Sequence, residues 1–177
     1  MRFMFTCGGT AGHIYPAIAV ADRLRELFPD AKFMFVGVRG GMETELVPRE
    51  GYPIETLVVS GVRRGMSPQD ILYNIRTVWR TERAMARAKR IIRNFAPDAV
   101  LGTGGYVCYP VIRAAHLLDI PTFVHESNAL PGLTTKLLER FASRIMVGFD
   151  ESREYYRSPD KIAVTGTPVR CGFVSMS

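Results

Sequence analysis

Short apolar runs alternate with amphipathic helical segments along this chain, and this alternation limits its fold more than any other feature. Strands and helices that alternate at this spacing predict an α/β domain with a Rossmann-like, doubly wound, mostly parallel sheet of about seven strands, covered by helices on both faces. The predicted strands are residues 3–5, 32–37, 53–59, 99–101, 120–124, 144–147 and 162–164, and the predicted helices are residues 16–28, 43–50, 67–94, 110–118 and 131–140. A chain of 177 residues is long enough for one such domain.

Two glycine-rich loops follow two of the predicted strands. The first strand leads into Cys-Gly-Gly-Thr-Ala-Gly-His at residues 7–13, and the fourth leads into Gly-Thr-Gly-Gly-Tyr at residues 102–106. Glycine lets the backbone approach a ligand closely, and a helix N-terminus behind such a loop favours an anion. Neither loop is a G-x-G-x-x-G or Walker pattern, and a tight strand-to-helix turn explains either one alone. Together they favour one shared cleft for a phosphate or a sugar.

A third polar segment, His-Glu-Ser-Asn at residues 125–128, follows the fifth predicted strand. Because ligands bind beyond the carboxyl ends of parallel strands, we expect all three segments at one edge of the sheet. His13 is a candidate general base, since the start of a helix disfavours the imidazolium form. Glu126 is a second candidate if burial raises its pKa, although the strand pleat lets only one of His125 and Glu126 face the cleft. The alternative is that these side chains only satisfy local hydrogen bonds.

The charge balance favours an anionic partner, because the net charge is +6 and the sequence pI is about 9.5. Nucleic acid is the weaker choice, since no zinc-finger, RRM or KH pattern is present. Cys7, Cys108 and Cys171 are odd in number and form no C-x-x-C pair, so neither a disulfide framework nor a metal site is predicted, and buried thiols are favoured over nucleophiles. With no apolar run of about 18 residues and no signal segment, we expect a cytoplasmic domain.

The predicted helix at residues 67–94 carries a basic stripe. At 100° per residue its arginines fall on one side, with Val78, Met85, Ala88, Ile92 and Phe95 opposite them as the expected core face. The remaining apolar residues flank the first arginines, as in a helix that lies on an anionic membrane surface. This predicted membrane patch consists of Leu72, Ile75, Arg76, Trp79 and Arg80. The alternative is a solvated basic face with Trp79 covered by a neighbouring loop.

Four motifs in order resemble the MurG family of glycosyltransferases, glycosyltransferase family 28. They cover nearly the whole chain, so the resemblance is specific. The motifs are Gly-Gly-Thr-Ala-Gly-His at 8–13 with Pro16, Gly-Thr-Gly-Gly-Tyr-Val at 102–107, His-Glu-Ser-Asn at 125–128 with Gly132, and Gly-Thr-Pro-Val-Arg at 166–170.

The resemblance implies the N-terminal half of a two-domain GT-B enzyme of peptidoglycan synthesis. Such an enzyme transfers N-acetylglucosamine from UDP-N-acetylglucosamine (UDP-GlcNAc) to the C4 hydroxyl of the muramyl sugar in undecaprenyl-pyrophosphoryl-muramyl-pentapeptide. The transfer inverts the anomeric centre and needs no metal. The resemblance also implies a peripheral location on the inner face of the cytoplasmic membrane, reached through the predicted membrane patch.

The resemblance also assigns expected roles to single residues. His13 and Glu126 are the catalytic candidates, with His13 slightly favoured as the base. The residues expected at the donor are Thr10, Ala11, Gly12, Asn128 and Arg170. The residues expected at the acceptor and its pyrophosphate are Gly9, His13, Gly104, Gly105, Tyr106 and His125.

The sequence departs from the family pattern in places. Ala11 stands where the family usually has Gly, and Thr167 where it usually has Asn. We expect an acceptor- and membrane-binding domain at residues 1–165 and a hinge motif at 166–177, with the family's donor-binding domain outside this sequence. The chain alone is therefore expected to bind acceptor without turnover. Two other interpretations stay open: a non-catalytic membrane-recruiting half of a split glycosyltransferase, and another GT-B activity such as a sugar-nucleotide epimerase or a different lipid glycosyltransferase.

Overall fold

A parallel sheet forms the centre of the molecule, as the sequence predicts. The computed structural model describes residues 1–61, 65 and 67–169. The strands are β1 (Arg2–Cys7), β2 (Lys32–Val38), β3 (Ile54–Leu57), β4 (Ala99–Gly104), β5 (Thr122–Glu126), β6 (Arg144–Val147) and β7 (Ile162–Val164). The helices are α1 (Ala11–Leu27), α2 (Glu43–Arg49), α3 (Pro68–Phe95), α4 (Cys108–His116) and α5 (Leu133–Leu138), with short 3-10 helices at Asp150–Tyr155 and Pro159–Lys161.

The strand order is β3-β2-β1-β4-β5-β6-β7, and every neighbouring pair is parallel. The chain builds outward in one direction from β1 to β3 and then crosses back to β4, which lies on the other side of β1. The order of the strands therefore reverses between β1 and β4. In an open α/β sheet a crevice forms at this position, outside the carboxyl ends of the two strands.

Each face of the sheet has its own hydrophobic core. Successive side chains of β1 alternate, so Met4 packs into one core and Phe5 into the other. Helices α3, α4 and α5 cover the Met4 side with residues such as Ile92 and Ile112. Helices α1 and α2 cover the Phe5 side with Ile18 and Val47 among their buried residues. The predicted doubly wound arrangement is confirmed.

Several elements extend further toward the carboxyl edge than the sequence indicates. Helix α1 begins at Ala11 rather than near Pro16, so the second half of the first glycine loop is its first turn. Strand β4 continues through its glycines to Gly104 because Gly102 pairs with both β1 and β5, and these ladder bonds outweigh the low strand propensity of glycine. Strand β5 likewise continues to Glu126. Residues predicted as loops are therefore held in regular backbone.

Helix α3 begins where the sequence predicts, but its buried face differs from the predicted one. The Ser67 hydroxyl accepts the backbone N–H of Asp70 at 3.1 Å, which satisfies one free amide of the first turn. The buried positions are Thr77, Ala84, Ala88 and Ile92. Val78 was expected in the core but is 58% exposed, because the sheet covers only the second half of this long helix. In the described part of the chain, no helix is both long and apolar enough to cross a membrane.

Candidate active site

A cleft of about 680 Å³ lies at the carboxyl edge of the sheet, beside the position where the strand order reverses. Its walls come from the start of α1, the segment after β5 and the segment after β7. The lining residues are Thr10, Ala11, Gly12, His13, Tyr15, Pro16, Ser127, Asn128, Thr167, Pro168 and Val169. This volume suits a sugar-sized ligand. The structure thus brings the first and third polar segments of the sequence to one cleft.

The two glycine segments touch each other at the centre of the edge. The register between β1 and β4 shifts after Thr6, and the Gly8 N–H then donates to the Gly104 carbonyl at 3.2 Å. Gly105 has a φ of +91°, and a Cβ at this position would collide with the Gly8 carbonyl. Glycine at 105 is therefore required both by the backbone conformation and by the close approach of the first loop.

The imidazole of His13 lies against this pair of loops. Its Nδ1 is 3.1 Å from the Gly8 carbonyl oxygen, which can only accept, so Nδ1 carries the hydrogen. The neutral ring then has its lone pair on Nε2. A Cβ at Gly104 would overlap the imidazole ring, so the glycine makes room for the side chain. The Thr103 hydroxyl donates to the His13 carbonyl at 2.6 Å and fixes the start of α1 to β4.

The carboxyl group of Glu126 is fully engaged inside the protein. The side chain is 4% exposed, and one oxygen accepts the backbone and side-chain N–H groups of Asn128 at 3.0 and 2.8 Å. The other accepts the Gly132 N–H at 2.9 Å and the Thr135 hydroxyl at 2.8 Å. Burial alone raises the pKa of Glu126, but these hydrogen bonds outweigh burial and lower the pKa below its usual range. The expectation of a raised pKa is wrong, and the group holds the Asn128 segment in place.

His125 lies under the cleft rather than on its surface. It is 1% exposed, its Nε2 donates to the Gly166 carbonyl at 3.0 Å, and its Nδ1 is 3.3 Å from the Ser127 hydroxyl. Burial lowers the pKa of the ring, and this effect outweighs the opposing influence of the Gly166 hydrogen bond and the Glu126 charge. The structure therefore does not bring His125 to the predicted acceptor surface, and both it and Glu126 point inward.

The other predicted site residues fall into three groups. Thr10, Ala11, Gly12 and Asn128 line the cleft as expected for ligand contacts. Tyr106 is exposed beside Gly61, whose Cβ position its ring would overlap, and it lies outside the residues that line the cleft. Arg170 lies outside the described residues, as does Cys171.

Two residues in or beside the site are not predicted from the sequence. Tyr15 lines the cleft because α1 begins earlier than predicted. Glu43 lies completely buried under the first glycine loop, whereas the sequence predicts only that it begins a helix. The glycines around residue 43 are the signal that could have located it, since a run of small residues leaves room for a buried side chain.

The two described cysteines are buried, as predicted. Burial raises the pKa of the Cys7 thiol well above its usual range and that of the Cys108 thiol to about 12, so both are protonated near neutral pH. The Cys108 thiol donates to the Thr6 carbonyl at 3.2 Å and supports the strand ends. Among the described residues, no group of three or more His, Cys, Asp or Glu is arranged to hold a metal ion.

An apolar surface near the start of α3 lies at the same edge of the molecule. Trp79 is 66% exposed, so none of the described loops covers it, and Arg83 lies over its ring at 5.4 Å. The predicted patch is larger than expected because Ile71 and Val78 are also exposed. We call the α3 patch the exposed residues Ile71, Leu72, Ile75, Arg76, Val78, Trp79 and Arg80.

Comparison with known proteins identifies relatives of this chain. Residues 3–147 match the glycosyltransferase family 28 N-terminal domain. A protein of Thermoanaerobacter sp. (strain X514) is 45% identical over 170 residues, which are 96% of this chain and 46% of that protein. A protein of Alkaliphilus oremlandii is 42% identical over 177 residues, which are 100% of this chain and 47% of that protein. Both are named UDP-N-acetylglucosamine--N-acetylmuramyl-(pentapeptide) pyrophosphoryl-undecaprenol N-acetylglucosamine transferase.

Solved structures agree on the fold. The crystal structure of MurG from Acinetobacter baumannii is similar with a TM-score of 0.73 and 28% identity, over 96% of this chain and 45% of that one. A UDP-GlcNAc 2-epimerase from Neisseria meningitidis has a TM-score of 0.65 at 17% identity, over 95% of this chain and 47% of that one, which shows a shared fold only. The chain spans about half the length of the curated relatives and structures it matches.

Proposed function

The chain belongs to glycosyltransferase family 28 as an N-terminal domain, and we propose that it is the acceptor-binding half of an N-acetylglucosamine transferase. The full reaction would transfer N-acetylglucosamine from UDP-GlcNAc to the muramyl C4 hydroxyl of undecaprenyl-pyrophosphoryl-muramyl-pentapeptide. The names of the curated relatives, at 42–45% identity over nearly the whole chain, support this acceptor and this sugar.

The chemistry proposed for this half is removal of the proton from the acceptor hydroxyl. His13 Nε2 takes the proton, the muramyl oxygen attacks the anomeric carbon of the donor from the face opposite UDP, and UDP leaves with the electron pair of the broken bond. The configuration at the anomeric carbon is thereby inverted. The observation that carries this assignment is the hydrogen bond from Nδ1 to the Gly8 carbonyl, which leaves Nε2 as the basic nitrogen in a cleft-lining residue.

The ligand contacts proposed for the cleft follow from its backbone. The first turn of α1 has amides without intrahelical partners, and its dipole favours a negative group in front of Ala11 and Gly12. Together with Thr10 and Asn128, these residues are proposed to meet the donor sugar and phosphates. The backbone where Gly8 contacts the Gly104–Gly105 turn is proposed to receive the acceptor pyrophosphate. Arg170 is proposed to reach the donor from the hinge motif.

Docking on the inner face of the cytoplasmic membrane is the second part of the proposal. Helices α3 and α4 both begin at the carboxyl edge, so the α3 patch lies at the same edge of the sheet as the cleft. An apolar group beside arginines suits the interface of an anionic membrane, where a lipid-linked acceptor would be held.

Acceptor binding by this chain tests the proposal. The probe is a short-chain analogue of pyrophosphoryl-linked muramyl-pentapeptide, and the measurement is its Kd by calorimetry for wild type, His13→Ala and His116→Ala. We expect His13→Ala to weaken binding about tenfold, since a hydrogen bond from the acceptor hydroxyl is lost. His116, exposed at the far end of α4, is the matched control and should leave Kd unchanged. No binding by wild type, or equal loss in both variants, would overturn the assignment.

A further inference from the structure

Glu43 is a buried carboxyl group for which the proposed reaction has no use. It is the first residue of α2, it is not among the residues that line the cleft, and it is 0% exposed. One carboxyl oxygen accepts the Val38 N–H at 2.7 Å. The other accepts the Gly9 N–H at 3.4 Å. Burying a carboxylate is costly unless it is held by such donors, so its presence here needs a reason.

Three glycines from separate segments make the space for this carboxyl group. A Cβ at Gly41 would lie 2.5 and 2.6 Å from the two carboxyl oxygens, and one at Gly37 would lie 2.5 Å from Glu43 Cγ. A Cβ at Gly8 would collide with Glu43 Oε1. The chain therefore surrounds a charged group with residues that have no side chain, and one of them belongs to the first loop.

The first-loop peptide, which joins Gly8 and Gly9, links this carboxyl group to His13. Its N–H donates to Glu43, and its carbonyl accepts Nδ1–H of His13 at 3.1 Å. The N–H and C=O of a trans peptide point in opposite directions, so holding one group aims the other. Hydrogen bonds in such a chain polarise one another.

We propose that Glu43 is a positioning residue that acts on His13 through the first-loop peptide. The carboxyl group aims the Gly8 carbonyl at Nδ1, which fixes the ring tautomer and keeps Nε2 as the basic nitrogen. The role in catalysis rests on the proposed function, whereas the effect on the imidazole does not.

The tautomer of His13, observed by NMR, tests the inference without any substrate. In wild type, the ¹⁵N shifts of the neutral ring should report hydrogen on Nδ1, and the opposite tautomer would overturn the proposal. Glu43→Gln should lower the fraction of this tautomer, because an amide nitrogen cannot accept and one of the Val38 and Gly9 N–H groups loses its acceptor. Glu43→Asp keeps both acceptor oxygens and should restore part of that fraction. Glu45→Gln is the matched control, since Glu45 is exposed on the same helix.

An unchanged tautomer fraction in a folded Glu43→Gln protein would overturn the positioning role of Glu43. If that variant does not fold, the wild-type tautomer and the Glu43→Asp tautomer decide in its place. In the complete transferase, Glu43→Gln should lower kcat about tenfold and leave the KM for donor nearly unchanged. A changed tautomer fraction with unchanged kcat would support the positioning role and contradict the proposed base instead.

Discussion

At the scale of single residues, the two candidate bases differ in how many of their polar atoms are already occupied. Glu126 accepts four hydrogen bonds from within the protein, and its pKa is lowered. His13 uses one nitrogen for the Gly8 carbonyl and lines the cleft with the rest of its ring. A group that must accept a proton from a ligand needs a free lone pair. On this ground His13 is the stronger candidate for the base.

Replacement of Glu126 by Gln should destabilise the fold. An amide nitrogen cannot accept, so about two of the four donors lose their partner inside the protein, at a cost of about 2 kcal/mol or more. Because the pKa of Glu126 in the folded protein lies below its ordinary value of 4.5, its stabilising effect is present above that value. The effect is lost as the pH falls through the folded pKa.

Urea unfolding between about pH 3 and about pH 7 measures this effect. Wild type should lose stability toward the acid end, and Glu126→Gln should be less stable at neutral pH and less dependent on pH. Glu154→Gln, an exposed position, is the control. A Glu126→Gln protein with the same pH dependence as wild type would contradict the assigned hydrogen bonds.

At the scale of elements, the contact between the two glycine segments can be measured with a pair of matched glycines. Gly105 and Gly9 have nearly the same φ, +91° and +88°. A Cβ at 105 would collide with the Gly8 carbonyl, whereas a Cβ at 9 meets nothing within 4 Å. Alanine at either position would be strained by about 1–2 kcal/mol, because the backbone there has a left-handed conformation. Only at position 105 would the added methyl group also push the two loops apart.

We therefore expect Gly105→Ala to cost about 2 kcal/mol more free energy of unfolding than Gly9→Ala. Denaturant unfolding of the two variants gives the difference directly, because the strain common to both cancels. Equal costs would mean that the approach of the loops is not tight.

The sequence predicts which elements exist, and tertiary contacts set where they end. Strands β6 and β7 have the predicted bounds, residues 144–147 and 162–164. Strand β4 is longer because Gly102 gains hydrogen bonds from two neighbouring strands, which no local pattern reports. The cleft could be predicted from the polar segments that follow β1 and β5. The inward orientation of His125 could not, since it depends on a carbonyl 41 residues away.

The α3 patch gives a prediction for membrane binding. Trp79→Ala should weaken binding to vesicles that contain phosphatidylglycerol about tenfold, because a large apolar group no longer enters the interface, and added salt should weaken wild type further. Flotation of protein with vesicles measures both effects. Leu117→Ala is the control, since Leu117 is exposed to 50% just after α4, at the opposite edge of the sheet. Equal loss in both variants, or binding to neutral vesicles alone, would contradict a role for this patch.

At the scale of the whole molecule, the cleft walls that this chain supplies all lie at one edge of the sheet. Orienting two substrates contributes on the order of 7–11 kcal/mol to a reaction in favourable cases, so a cleft that binds only one of them gains little rate. The relatives it matches are about twice as long as this chain. We therefore expect full turnover only from a molecule in which a second half faces this cleft.

A chimera tests this conclusion and the role of His13 together. The chain joined to the remaining half of the 45% identical Thermoanaerobacter relative should transfer N-acetylglucosamine to a short-chain lipid-linked acceptor, whereas the chain alone should not. In the chimera, His13→Ala should lower kcat by about 10²–10⁴-fold, the usual contribution of a general base, and His116→Ala should leave it unchanged. Transfer is measured as radiolabelled sugar in the lipid product. Turnover by the chain alone would show that one half of the cleft is sufficient, and an active His13→Ala chimera would assign the proton to another group.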